Sequence, residues 1–183
     1  MKLINLAKTC LTPKGFNFLT KLNTKLPNIW DKPSSSTGKY HKRQNGTVPS
    51  IEDHTFEMLK AAIKVIRLFD ENRSAISKQN DVLFIAIILH DNLKYGLEGK
   101  YKHTVINHDF QMAELIKKQR EFFELYFTFE ETNLLIQMIR MHSGQWSLKK
   151  ADRIDFNFNQ YPPEVLFIHM LDMLSTASYL GPV

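Results

Sequence analysis

Apolar residues recur along this chain at spacings of three and four, and prolines and glycines interrupt the pattern. That period places one face of a helix against a core and predicts helices throughout. Leu3, Leu6 and Ala7 predict a short helix that stops near Pro13; Phe16, Leu19, Leu22 and Leu26 carry a second up to Pro27. A turn-rich stretch follows from Pro27 to Pro49, too long for a simple connector and edged by Trp30 and Tyr40, which favour a packed loop. Ser50 is a good N-cap for a strong helix with Glu52 and Asp53 in its first turn and Phe56, Leu59, Ile63, Ile66 and Phe69 on its apolar face. From Asp81 to Leu93 no polar stripe appears until His90, which predicts a central helix buried all round, broken by Gly96 and Gly99. Helices over about Thr104 to Tyr126 and Glu130 to His142 follow, then a polar surface loop from Ser143 to Gln160 and a last helix opened by Pro162-Pro163. The class is all-α, with about six to eight helices. Neither a repeat nor a domain boundary interrupts it, so residues 1–183 read as one domain with a core over about 50–180 and a helical, Ser-rich extension over 1–49.

Composition narrows the chemistry. A single cysteine, Cys10, excludes intramolecular disulfides and any cysteine-cluster zinc site, leaving His, Asp and Glu as ligands. The net charge of +5 is concentrated early: Lys2, Lys8, Lys14, Lys21, Lys25, Lys32, Lys39, Lys42 and Arg43 face a single acid, Asp31. Such a basic portion can attract nucleic acid or anionic small molecules, or simply form a solvated face. No run of eighteen apolar residues suits a membrane span, and Met1 to Leu11 does not read as a signal peptide, so a cytoplasmic protein is expected.

The most informative element is Leu89-His90-Asp91-Asn92-Leu93-Lys94, where an unbroken apolar run, Val82 to Leu89, ends in two metal-ligand side chains. Burying an imidazole and a carboxylate without partners costs on the order of several kcal/mol, so such a pair coordinates a metal or each other. His54 lies beside the face of Ile51 and Leu59, and Asp172 stands among Met170, Leu171, Met173 and Leu174. Separate helices thus bring His54, His90, Asp91 and Asp172 to apolar surroundings, the way helix bundles build metal sites. Mixed His and Asp ligands without thiolate suit a divalent ion: Mn, Fe, Co, Ni, Zn or Mg. Lys94, four residues after His90, would stand one turn on if the helix continued, where its ammonium can stabilise a phosphate. Its other reading is a solvated lysine at a helix end.

The order His54, His90-Asp91, Asp172 resembles the signature of the HD-domain metal-dependent phosphohydrolases, over about Trp30 to Tyr179. Pro33-Ser34-Ser35-Ser36-Thr37-Gly38-Lys39-Tyr40-His41 resembles the loop of small, often phage-encoded members, and His142-Ser143-Gly144-Gln145-Trp146 resembles a His-x-Gly-x-Trp element of the same relatives. The chain departs from them where Val48 to Asp53 replace a glycine-rich stretch and where Asn92-Leu93 replace x-Gly. The resemblance implies an HD-domain helical bundle in which His54, His90, Asp91 and Asp172 hold a metal and Lys94 steadies a phosphate. It implies a second metal sharing Asp91, with His108 and His142 at the site. His169, three residues before Asp172 and on the same face, is expected behind the ligands. It further implies nucleotide substrates, (deoxy)nucleoside mono- or triphosphates, hydrolysed by metal-activated water, and a location in the host cytoplasm for a phage-encoded chain. Many small members look like dimers, so a homo-oligomer is implied too. Ser35, Ser36, Lys39, Tyr40 and His41 are the expected phosphate-binding loop, and Trp30, Tyr40, Trp146 and Tyr179 the candidate base-stacking rings. His103 is expected in a loop. Three other readings stay open: a nuclease or phosphodiesterase of cyclic or oligonucleotides, a non-catalytic binding module, and a metal oxygenase.

Overall fold

A computed structural model describes residues 2–35, 45–69, 76–147, 152–154 and 158–176, and these are all-α. The helices are α1 (Lys2–Cys10), α2 (Pro13–Asn23), α3 (Ile51–Phe69), α4 (Lys78–Leu89), α5 (His108–Lys118), α6 (Arg120–Glu124), α7 (Phe129–Met141) and α8 (Pro163–Thr176). Extended pairing among the described residues is limited to a single antiparallel bridge between Pro33 and Ser50.

The centre is α4, which packs against α2, α3, α7 and α8. Every residue from Val82 to Leu89 is buried, which is why the segment has no polar stripe: a helix touched on all sides has no face for water. Filling such a site with a smaller side chain leaves a cavity, so Phe84→Ala would destabilise the fold by about 3–5 kcal/mol. Asp81 anchors the entry to this helix. Its carboxylate accepts from the backbone N–H of Thr12 at 2.9 Å and from the Thr12 hydroxyl, while Thr12 in turn caps α2 through Gly15 N. Burial of the Asp81 carboxyl raises its pKa, an effect these hydrogen bonds oppose.

Several element ends differ from the sequence pattern. α1 stops at Cys10, near Pro13 as expected, and Pro13 itself opens α2, because Thr12 caps it and proline lacks only an N–H that the first turn leaves unpaired. The central helix ends at Leu89, four residues before Leu93. The Asn92 side chain donates to Ile88 O at 2.8 Å, and the backbone from His90 to Gly96 runs in three-residue turns, with Asn92 N to Leu89 O, Lys94 N to Asp91 O and Gly96 N to Leu93 O. The helix expected over Thr104 to Tyr126 starts at His108 and divides at Gln119 into α5 and α6. Between Ser143 and Gln160, expected at the surface, Ser147, Asp152 and Ile154 are buried, and Asp152 pairs with Arg140 of α7 at 2.6 Å. Among the described residues no helix is long and apolar enough to cross a membrane.

Candidate metal centre

Five helices converge on one point. His54 sits in the first turn of α3, His90 at the C-cap of α4 with Asp91 next to it, His108 at the start of α5, His142 at the C-cap of α7, and Asp172 on α8. His54, His90, Asp91, His108 and His142 are all buried.

Asp91 joins the cluster, and its two oxygens look in different directions. Oδ2 lies 3.5 Å from His90 Nε2 and 3.7 Å from His54 Nε2, whose two nitrogens are 3.1 Å apart. Asp172 Oδ1 completes that side, 3.2 Å from His54 Nε2 and 4.0 Å from His90 Nε2. Oδ1 of Asp91 lies 3.0 Å from His108 Nε2 and 3.8 Å from His142 Nε2, themselves 3.3 Å apart. The ligand atoms of His54, His90 and Asp91 fall within 4.8 Å of one another, and so do those of Asp91, His108 and His142.

Hydrogen bonds behind the rings fix where their lone pairs point. His90 Nδ1 donates to Ile87 O at 2.7 Å, His108 Nδ1 to Val105 O at 2.9 Å and His142 Nδ1 to Ile139 O at 2.6 Å. A carbonyl only accepts, so the proton of each neutral ring is on Nδ1 and Nε2 presents a lone pair. Burial, with the neighbouring histidines adding to it, pushes His90 down to about 3 despite Asp91, and lowers His142 as well. Burial disfavours ionised Asp91, yet Lys94 and then His90 hold it well below the usual carboxylate range. For Asp172, too, burial favours the neutral acid and contact with His54 outweighs it, so its pKa is lowered.

These residues fit a divalent cation. Asp91 Oδ1 is buried and receives no well-formed hydrogen bond, although His108 Nε2 is 3.0 Å away. An anionic oxygen and two imidazole lone pairs facing one another without a proton between them repel unless a cation joins them, and nitrogen and carboxylate donors without thiolate suit first-row divalent ions. The five residues therefore form groups that could hold a metal ion.

Lys94 belongs to this centre by a route the sequence did not suggest. Three residues after Asp91 in the turns beyond α4, its ammonium reaches Asp91 Oδ2 at 2.6 Å and the side chain is buried. His169 stands behind His142, its Nδ1 donating to His142 O at 2.8 Å, and its ring fills the space beside Gly144. Trp146 is 54% exposed and neighbours His169, with ring centroids 6.4 Å apart. Trp30 is core, only 5% exposed, which removes it from the candidate stacking rings, and His103 is exposed in its loop as expected. Ser35 is buried at the base of the Ser-rich loop; Ser36, Lys39, Tyr40 and His41, like Tyr179, lie outside the described residues. That base is tied to the His-Asp segment by Tyr95, whose hydroxyl donates to Pro33 O at 2.7 Å and whose pKa is raised by burial and by the Asp91 charge. A separate cavity of about 950 Å³ lies along α5, lined by Leu97, Tyr101, Val105, Phe110 and Leu115 among others, with none of the cluster in its wall.

Two contributors carry no distinctive sequence signal: Tyr95, one of several aromatics, and Ser175, a serine at ordinary helical spacing whose hydroxyl lies 3.0 Å from His54 Nδ1. Compared with known proteins, the chain matches no family model, no curated protein and no solved structure.

Proposed function

We propose that this chain is a divalent-metal-dependent phosphohydrolase of the HD-domain type that acts on nucleotides. The observation that carries the reading is Asp91, one carboxylate whose two oxygens each face a pair of imidazole Nε2 atoms. His54, His90, Asp91 and Asp172 would hold one ion, and Asp91, His108 and His142 a second. Bound divalent metal supplies Lewis acidity, which lowers the pKa of water and neutralises phosphate oxygens.

The chain's own groups do the remainder. The carbonyls of Ile87, Val105 and Ile139 keep three histidines in one tautomer and orientation, so little reorganisation accompanies ligation. Lys94 offers three N–H bonds, of which Asp91 takes one, leaving donors for a phosphate oxygen beside the centre. Trp146 offers an exposed ring on which a base can stack. Ser35 is the described part of the phosphate-binding loop.

The test is a phosphate-release screen of the metal-loaded protein over nucleoside mono- and triphosphates. Metal-dependent release that Asp91→Ala abolishes supports the reading. Release from no nucleotide, with cleavage of cyclic or oligonucleotides instead, replaces it with a phosphodiesterase. No hydrolysis of either class by metal-loaded protein refutes it.

A further inference from the structure

We propose that Ser175 is a positioning residue that aims His54 at the metal, so that α8 delivers a ligand, Asp172, and the orienting group of another ligand one turn apart. The inference rests on the metal-binding reading above.

The four clustered histidines are not oriented in the same way. His90, His108 and His142 each turn Nδ1 to the carbonyl three residues earlier in their own segment. His54 instead turns Nδ1 across the bundle to Ser175 Oγ at 3.0 Å. The serine hydroxyl has one proton, and it donates that proton to the carbonyl of Asp172 at 2.7 Å. Its oxygen is then left to accept, which requires the proton of the pair to be on His54 Nδ1. His54 Nε2 consequently faces His90 Nε2 at 3.1 Å, Asp172 Oδ1 at 3.2 Å and Asp91 Oδ2 at 3.7 Å as a lone pair. Back-bonding of a helical serine to the carbonyl three residues before it is common; here it sets the tautomer of a ring on another helix.

Three consequences separate this role from packing. Ser175 should matter to the His54 side of the cluster and not to the His108–His142 side, whose orienting carbonyls are local. A hydroxyl should suffice, so Ser175→Thr should preserve the effect that Ser175→Ala removes. Finally, the Nδ1 proton should be present on His54 without any metal.

The experiment pairs nitrogen-detected NMR of the histidine rings in metal-free protein with calorimetric titration by Mn²⁺. Wild type is expected to give a protonated, hydrogen-bonded His54 Nδ1, kept in Ser175→Thr and altered in Ser175→Ala while His108 and His142 are unchanged. Removing a ligand's orienting partner typically weakens metal binding about 10–100-fold, and Ser175→Ala should do so at one site only. A wild-type His54 protonated on Nε2 alone overturns the proposal even if no variant folds. Equal affinities in wild type and Ser175→Ala, or equal losses in the Ala and Thr variants, overturn it too. Wild-type protein that binds no Mn²⁺ refutes the metal reading, while the Nδ1 signals still decide whether Ser175 orients His54.

Discussion

Gly144→Ala should reach the candidate centre through His169, the residue that holds the His142 carbonyl. Gly144 has φ near +56°, a left-handed conformation, and alanine there costs roughly 1–2 kcal/mol more than glycine. An added Cβ would also stand 2.6 Å from His169 Nδ1, with Cε1 and Nε2 of the same ring nearer still. The ring must leave, and with it goes the hydrogen bond to His142 O, worth about 0.5–1.5 kcal/mol. Together the two effects predict a loss of about 2–3 kcal/mol, or roughly 5–10 °C in Tm for a chain of this size. A double-mutant cycle in urea separates them. In a His169→Ala background the clash and the hydrogen bond are already gone, so Gly144→Ala should cost only its backbone share of about 1–2 kcal/mol. Strictly additive losses would refute the argument, because the glycine would then be serving some purpose other than making room for His169. The same variant should weaken metal binding at the His142 side, since His142 loses the partner that holds its carbonyl.

Lys94→Ala should retain metal yet lower turnover by roughly two orders of magnitude, the scale of one lost electrostatic stabiliser; its metal-free form should melt below metal-free wild type because Asp91 loses a buried cation, and saturating Mn²⁺ should close most of that gap. Unchanged turnover would make the lysine purely structural. Stability of the metal-free protein should fall as pH drops below the ordinary histidine value of 6.5 toward about 3. In that window the unfolded chain binds a proton that buried His90 refuses, so unfolding free energy declines by up to about 1.4 kcal/mol per pH unit for each such histidine. Urea midpoints that stay level between neutral and mildly acidic pH would contradict this. Cys10 is fully buried and its thiol is pushed up to about 12 by burial, so thiol reagents at pH 8 should label it only on unfolding; rapid labelling of native protein would place it elsewhere.

The residues legible from sequence were those whose surroundings are local in the chain. His90-Asp91 stood out because it closes a run with no other polar group, and α3 followed from its period and the Ser50 cap, whereas the capping box of Thr128 and Glu131 that opens α7 was not read. The stop at Leu89 was hidden, since it depends on where the Asn92 side chain turns, and Gln119 divides α5 from α6 with neither glycine nor proline to mark it. His108 and His142 were readable as candidates, but their 3.3 Å approach depends on how α5 lies against α7, which no spacing encodes. Ser175 lies 121 residues from His54, and a serine among apolar neighbours on a helix suggests nothing about a ring it meets only after folding. Lys94 was found for its charge and its neighbourhood, while the turn that folds it back onto Asp91 became visible only in three dimensions.

The central claim, that the two oxygens of Asp91 serve two ion sites, is tested most directly by metal stoichiometry. Protein dialysed against Mn²⁺ and analysed by elemental mass spectrometry should carry two ions per chain in wild type. Asp91→Ala should lose both while keeping its helical circular dichroism, whereas His142→Ala should keep the ion held by His54, His90 and Asp172. Full occupancy in Asp91→Ala, or a wild-type protein that retains no metal at all, would contradict the account.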